Sequence, residues 1–543
     1  MASTAEQVVE CLEAHRSFVI EAGAGSGKTR TLVEALAFLL GSQARELLAN
    51  GQQVVCITYT NVAANEITSR INRDPLVRVS TIHDFLWSVI GGFQAELRAA
   101  ILAANDMAET KKKIADLDLS GISIEYWQYP RKWQEGKIHH DDVISLSSWM
   151  FSTYPKLARL VADRFPIVFV DEYQDTHEKT VALLLDVLVA NNPDRMTVGL
   201  FGDHMQKIYN DGVGKVERAE LAVIQKQENY RCSVAVIDVL NKLRPGLQQV
   251  PGGDNTQGSA RFFWSAVGTS DPLGKLRAQL AEEGWNDSDQ KVLMLTRRGI
   301  AADLEWTDLL AAYSARGSLT VDDFIRRADE FGEQFANIEE LARAFEARRY
   351  GDFLARRASG NGPIKVHADK VKAKTQVARL NQLRESATIG EVLQFVWDDG
   401  LLRKPSRVNR LEERIKAAED PDRAAKDQAF LDALFAVPYL QVVNFERYLN
   451  DETPFSTNHG VKGEEYDNVL VVLDDKLWTM YKFEAVLAGD ASKTQYQRSL
   501  NLFYVSCSRA KQNLVVLAAS SMSTDAIEGA KTLFGEEAVV KLS

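Results

Sequence analysis

The stretch FVIEAGAGSGKTRTLVEAL, residues 18–36, decides the fold. Three β-prone apolar residues, Phe18 to Ile20, run into a glycine-rich loop and then into apolar residues at helical spacing. Gly23, Gly25 and Gly27 let the backbone take left-handed turns, so that its N–H groups converge on an anion at the helix N-terminus, where the dipole also favours negative charge. Lys28 is then set to reach the β- and γ-phosphates of a nucleotide, and Thr29 to offer its hydroxyl to Mg²⁺. The strict spacing GxxxxGK[ST] asks for glycine at 22, and the sequence has Ala22. Strand, loop, GKT and helix in this order imply a nucleotide-binding loop on a parallel α/β sheet.

Outward from this loop, candidate strands at Val54 to Thr58, Ile167 to Val170 and Val198 to Phe201 alternate with helical patterns. A second cluster of the same kind, Lys291 to Leu295, Val469 to Leu473 and Leu514 to Leu517, implies a second α/β core. The strand at 166–170 runs straight into DEYQDT. A carboxylate at the tip of a buried strand is costly to desolvate unless a cation or donors receive it, so Asp171 reads as a Mg²⁺ partner. Glu172 is placed to orient or deprotonate an attacking water. The bland reading is a charged strand end in solvent, and the matching loop upstream weighs against it.

The chain has 543 residues, 45% hydrophobic and 26% charged, a soluble globular composition that excludes fibrous and wholly disordered classes. With 64 Lys and Arg against 75 Asp and Glu, the net charge of -11 disfavours non-specific adhesion to nucleic acid or anionic membrane, so any nucleic-acid site must be a local patch. Cys11, Cys56, Cys232 and Cys507 form no CxxC pair, which gives neither a disulfide framework nor a metal signature. No run approaches a membrane span and the start lacks an apolar signal region, so a cytoplasmic protein without membrane contact is expected.

Two stretches, 89–145 and 301–445, are rich in Ala, Arg, Glu, Lys and Leu at helical spacing and read as helical insertions. Within the second, residues 343–384 hold eleven basic residues against three acidic, a local net of +8. This segment reads equally as a phosphate-contacting surface or as a solvated helix face.

At DEYQDT the sequence becomes recognisable, and it resembles the UvrD/Rep-like superfamily 1 helicases. The other motifs of that family follow in order: TYTNVAANEI at 58–67, TIHDF at 81–85, FGDHMQKIY at 201–209, ENYRC at 228–232, STNHGVKGEEYDNVLVV at 456–472 and RSLNLFYVSCSRAK at 498–511. AGAGSGKT, with Ala22 at its head, is a form common in the family. The resemblance implies two RecA-like P-loop NTPase cores with parallel sheets, each carrying a mainly helical insertion. Residues 1–88 and 146–220 would form the first core, 221–300 and 446–543 the second, with 89–145 and 301–445 as the insertions.

Carried over residue by residue, the resemblance implies ATP bound between the cores, held by Ala22, Gly23, Ala24, Gly25, Ser26, Gly27, Lys28, Thr29 and Arg30. Gln7 would read the adenine edge, although it reads also as an exposed helix residue. Tyr230 would stack on the base and Glu465 would contact the ribose. Gln206 would sense the γ-phosphate, and Arg231 and Arg509 would act as arginine fingers beside Lys28 and Glu172. Thr29 and Asp171 would hold Mg²⁺. Tyr59, His83, Trp87 and Tyr209 would line a single-strand DNA channel, where aromatic faces hold bases without reading sequence. Asn61 and His459 would contact phosphates. Trp87 reads equally as a core residue, and His83 as a structural histidine.

The implied activity is a DNA-stimulated, Mg²⁺-dependent ATPase that translocates 3′ to 5′ on single-stranded DNA and unwinds tailed duplexes. The alternative is an ATP-driven subunit that binds DNA and switches a partner nuclease. One departure favours the alternative: where the family supplies a tryptophan that stacks on DNA, the sequence reads IYNDGVGK, with Asp211 at that place. No nuclease signature follows Ser520, so cleavage would come from another protein.

Overall fold

The computed structural model describes residues 3–58, 61–110, 112–127, 129–208, 211–266, 268–361, 364, 366–476 and 479–542. Its first sheet contains β1 (Phe18–Ala22), β2 (Val54–Ile57), β3 (Val77–Ser80), β4 (Ile167–Asp171), β5 (Thr197–Gly202) and β6 (Ala222–Lys226), in the order β3-β2-β4-β5-β1-β6. Every pairing in it is parallel. The central strands are buried along their whole length, which explains why FVIEA, VVCI and IVFVD read as continuous apolar runs rather than alternating ones. Alternate residues still serve opposite faces: Val19, Val55, Val168 and Val170 belong to one core, and Phe18, Ile20, Cys56 and Phe169 to the other. Parallel register brings the carboxyl ends of β1, β4 and β5, at Ala22, Asp171 and Gly202, to one edge. That edge is where a parallel α/β sheet presents its ligand site.

The second sheet contains β7 (Ser259–Ser265), β8 (Gln290–Met294), β9 (Phe455–Thr457), β10 (Tyr466–Leu473), β11 (Ala510–Ala518) and β12 (Val539–Leu542), in the order β9-β8-β10-β11-β7-β12. Parallel registers set Phe262 beside Val516 and Val539, and Val292 beside Phe455. Two α/β sheets with helical additions are the architecture that the sequence implies. The chain forms two compact units, one of residues 1–269, 462–469 and 480–543, the other of residues 270–461 and 470–479.

The helical expectation for 89–145 is only partly met. Helix Gln94–Asp106 and the start of helix His140–Thr153 lie there, but between them the chain makes turns, a 3₁₀ segment at Trp133–Glu135 and a short pairing of Glu125–Tyr126 with Lys137–Ile138. Positive φ at Asp116, Gly121 and Gly136 interrupts any helix, so the apolar periodicity of 94–106 does not propagate. Among the described residues no single helix is long and apolar enough to cross a membrane. Helices Ile82–Ile90 and Gln94–Asp106 approach that length only as a pair bent by 116°, and Phe85, Leu86, Leu97 and Ile101 from them are core residues.

The second insertion is mainly helical among its described residues, and its basic segment is not one cationic face. Arg343 pairs with Glu340 and Glu452, Arg349 with Glu340 and Asp352, and Arg384 with Glu339 and Glu346. Arg357 is buried. What projects outward is narrower and includes Lys370, Lys372 and Lys374 on helix His367–Ser386, exposed and without an ion pair among the described residues. Lys365 lies outside the described residues.

Glu339 is 3% exposed and accepts from Arg384 Nε at 2.9 Å. Arg384→Ala strands that carboxylate without its cation, so urea unfolding of the full chain should show a loss of about 3 kcal/mol. A loss under about 0.5 kcal/mol, the size of a surface pair, would show that the pair does not hold these helices together.

Candidate nucleotide site

Helix Lys28–Ser42 starts at the end of the glycine loop, and Gly27, in the left-handed region at φ 77°, makes the turn into it. Gly25 is left-handed as well, at φ 70°. Gly23 is not, which corrects the expectation that all three glycines serve left-handed turns. The loop leaves the Ser26 hydroxyl buried with no hydrogen-bond partner.

Opposite the loop, β4 delivers Asp171 and Glu172. Asp171 is 5% exposed and its Oδ1 is also without a partner. Burial, reinforced by the neighbouring Glu172 charge, pushes its pKa up to about 7. Glu172 takes a left-handed φ of 48°, an uncommon conformation for a non-glycine residue. Burial opposes its ionisation, yet Lys28, Lys462 and Arg509 outweigh burial and hold it at about 2. Its Oε1 is 4.0 Å from Lys28 Nζ, and Gln174 donates to Oε2. At Asp171 burial and the Glu172 charge thus outweigh Lys28, whereas at Glu172 the cations prevail.

A cavity of about 620 Å³ joins these groups, lined by Gly25 to Arg30, Asp171, Glu172, Gln206, Arg231, Glu465 and Arg509. These residues come from six of the sequence motifs, across a chain separation of hundreds of residues. Gln206 donates to Asp203 Oδ2 at 2.9 Å. Arg231 is held by Glu465, Nε to Oε2 at 2.7 Å. Arg509 is 1% exposed and donates to Val505 O at 3.0 Å, Glu464 O at 3.1 Å and Ser508 Oγ at 2.9 Å. Burial, with Arg231 nearby, lowers its pKa to about 10, so it is still a cation at neutral pH. Tyr230 stands 53% exposed near Gly27, whose added Cβ would lie 3.9 Å from the ring. Gln7 lies half-buried on helix Thr4–Glu13 and does not line the cavity.

Lys462, which also lines the cavity, escaped the sequence reading. Lys462 forms an ion pair with Asp175 and donates to the Gln206 carbonyl at 3.1 Å, so it ties STNHGVKGEE to DEYQDT and to FGDHMQ. Its position in the middle of a recognised motif was the available signal; its partner, 287 residues away in sequence, was not.

Of the candidate DNA residues, Tyr59 and Tyr209 lie outside the described residues, as does the side chain of Asn61 at the head of helix Asn61–Arg70. His83 and Trp87 lie one turn apart on helix Ile82–Ile90. Trp87 packs its inner side on the core and is 6.0 Å from the Tyr126 ring, while His83 is 5.0 Å from His140. Burial and then His140 lower the His83 pKa, so His83 is neutral. His459 belongs to the other unit, where burial and Arg297 bring its pKa down to about 4. It can meet a phosphate as a hydrogen-bond donor and not as a charge. Asp211 is exposed.

An AAA domain family model matches residues 5–211. Over 97% of this chain and 96% of the relative, the chain is 24% identical to the Gabija protein GajB of Bacillus cereus (strain HuB5-5). It is 25% identical to the ATP-dependent DNA helicase UvrD1 of Mycobacterium leprae across 41% of this chain. It is 24% identical to the ATP-dependent DNA helicase PcrA of Staphylococcus aureus across 46% of this chain. These matches span 37% and 41% of the two helicases, so the chain covers well under half their length. The motifs stand in the order of the UvrD/Rep-like superfamily 1 helicases and converge on a single cavity, and the chain is similar to GajB over nearly its whole length and to UvrD1 and PcrA over part of it.

Proposed function

We propose that the chain is a cytoplasmic ATP-dependent DNA translocase and helicase, moving 3′ to 5′ on single-stranded DNA. The observation that carries this reading is the cavity in which Lys28, Glu172, Gln206, Arg231 and Arg509 meet. Phosphoryl transfer needs little covalent help and much electrostatic positioning, which is what this set supplies. Lys28 and the N–H groups around it hold the β- and γ-phosphates, while Glu172, ionised at neutral pH, accepts a proton as water attacks the γ-phosphorus and ADP leaves. Arg231 and Arg509 offset the charge that spreads over the equatorial oxygens.

The unpartnered Asp171 Oδ1 and the Thr29 hydroxyl fit Mg²⁺ held mainly by phosphate oxygens and water; no all-protein metal cluster occurs among the described residues. Bound there, the ion would neutralise β- and γ-phosphate charge. Asp211 in place of a stacking tryptophan favours a second reading, in which ATP turnover switches a partner nuclease without processive unwinding. ATPase assays with and without single-stranded DNA, beside strand displacement on 3′-tailed, 5′-tailed and blunt duplexes, separate the two. Displacement of the 3′-tailed duplex alone supports the first, and DNA-stimulated hydrolysis without displacement supports the second.

Lys28→Ala should weaken nucleotide binding, whereas Glu172→Gln should bind ATP and hydrolyse it slowly. Wild-type turnover by Glu172→Gln would remove Glu172 from the chemistry. Arg231→Ala should lower kcat by about 10³-fold with nucleotide affinity retained, and adding Arg509→Ala should cost less than the product of the two single effects. Normal turnover by Arg231→Ala would exclude it as a finger. If the exposed lysines meet DNA phosphates, changing Lys370, Lys372 and Lys374 to Gln should flatten the log–log salt dependence of single-strand binding by about 2, at roughly 0.7 per contact. An unchanged slope would mark them as a solvated face.

A further inference from the structure

Gly23 raises a question that nucleotide binding does not answer. Its φ is not in the left-handed region, so an alanine could adopt its backbone. Yet a Cβ built there would lie 2.0 Å from Gln249 Nε2, 2.3 Å from its Cδ and 2.8 Å from its Cγ. The glycine is thus required by one side chain, 4% exposed and brought from 226 positions along the chain. Gln249 uses that closeness: its Nε2 donates to Ala24 O at 2.9 Å. Its own backbone is fixed by Asn241, which accepts from Gln249 N at 2.6 Å and donates to Gln249 O at 2.9 Å.

Two more buried side chains grip the same three residues of the loop. Arg244, 4% exposed, donates from Nη1 to Ala22 O at 3.0 Å and to Asp203 at 3.0 Å, and from Nη2 to Glu21 at 3.2 Å. The fully buried Tyr504 accepts from the Ala24 N–H at 3.1 Å. Ala22 O, Ala24 O and Ala24 N–H are therefore all satisfied by the second half of the unit. By contrast, the N–H groups of Gly25, Gly27, Lys28 and Thr29 find no acceptor among the described residues. The loop divides into a clasped front, 22–24, and a rear whose donors face the cavity.

We propose that Arg244, Gln249 and Tyr504 are positioning residues that hold the front of the phosphate loop so that its rear donors are set for the nucleotide, and that Gly23 is demanded by Gln249 rather than by the nucleotide. The clasp also links the loop to the arginines. Tyr504 lies on helix Tyr496–Cys507, five residues before Arg509, and Tyr230 N donates to Gly25 O at 2.9 Å immediately before Arg231. A shift of either arginine segment on nucleotide binding thus pulls directly on loop backbone. This inference rests on reading the loop as the ATP cradle.

The test uses the full chain and ATP, with KM, kcat and melting temperature measured for each variant. Wild-type hydrolysis above the Lys28→Ala background establishes the cradle; its absence would sink that reading and not the clasp as such. Gly23→Ala should raise the ATP KM by about tenfold or more, the scale of one lost buried hydrogen bond. In Gly23→Ala combined with Gln249→Ala, the colliding atoms are gone. The double variant should return to within about threefold of Gln249→Ala alone, a non-additive rescue between residues in contact. A double variant as impaired as Gly23→Ala would overturn the proposal, because the glycine would then serve the nucleotide itself. Should Gly23→Ala not fold, Tyr504→Phe decides: it keeps the ring and removes the acceptor of the Ala24 N–H. A KM raised severalfold with kcat within about twofold supports the clasp. A lowered melting temperature with unchanged KM would make Tyr504 a packing residue only and overturn it.

Discussion

Two adjacent carboxylates at the dry end of β4 are the constraint around which this site is built. Side by side in a partly buried cleft, Asp171 and Glu172 cannot both be charged at low cost, because burial and mutual repulsion act in the same direction. The fold answers by asymmetry. Lys28, Lys462 and Arg509 favour ionisation of Glu172, whereas at Asp171 Lys28 does not outweigh burial and the Glu172 charge. Environment alone thus shifts two neighbouring carboxyls in opposite directions.

The cations that settle Glu172 come from three remote segments, so the same electrostatics that make the site reactive also hold its parts together. Lys462 illustrates this, since its ammonium group neutralises Asp175 while bonding the Gln206 carbonyl. The phosphate loop shows a similar economy. Gly25 and Gly27 supply backbone conformation, whereas Gly23 supplies room for Gln249. A glycine-rich loop is thus as much a surface for close packing by its neighbours as a flexible cradle.

Charge distribution in the helical insertion follows a different rule. Three of its arginines, Arg343, Arg349 and Arg384, pair with Glu339, Glu340 and Glu346, while Arg348, Arg379 and the lysines Lys370, Lys372 and Lys374 are exposed without an ion pair among the described residues. That the paired cations are arginines is physically sensible, because a planar guanidinium suits buried and multidentate pairing. The +8 segment is therefore a mixture of structural and solvent-facing charge.

By itself the sequence determined the two α/β cores, the phosphate loop, the DE pair and the identity of the distant arginines, because each is encoded in a contiguous run whose spacing has a local physical meaning. FVIEA, VVCI and IVFVD are apolar without alternation since both faces are buried, and that is visible without a structure. Tertiary structure alone decided which glycine needs its conformation and which needs its missing Cβ. It also fixed how far the helical pattern of 94–106 extends, which arginines of 343–384 are consumed in pairs, and that Lys462 completes the charge balance of Asp175. Each of these depends on atoms brought within a few ångströms from residues far apart along the chain, and no spacing in the sequence records such an approach.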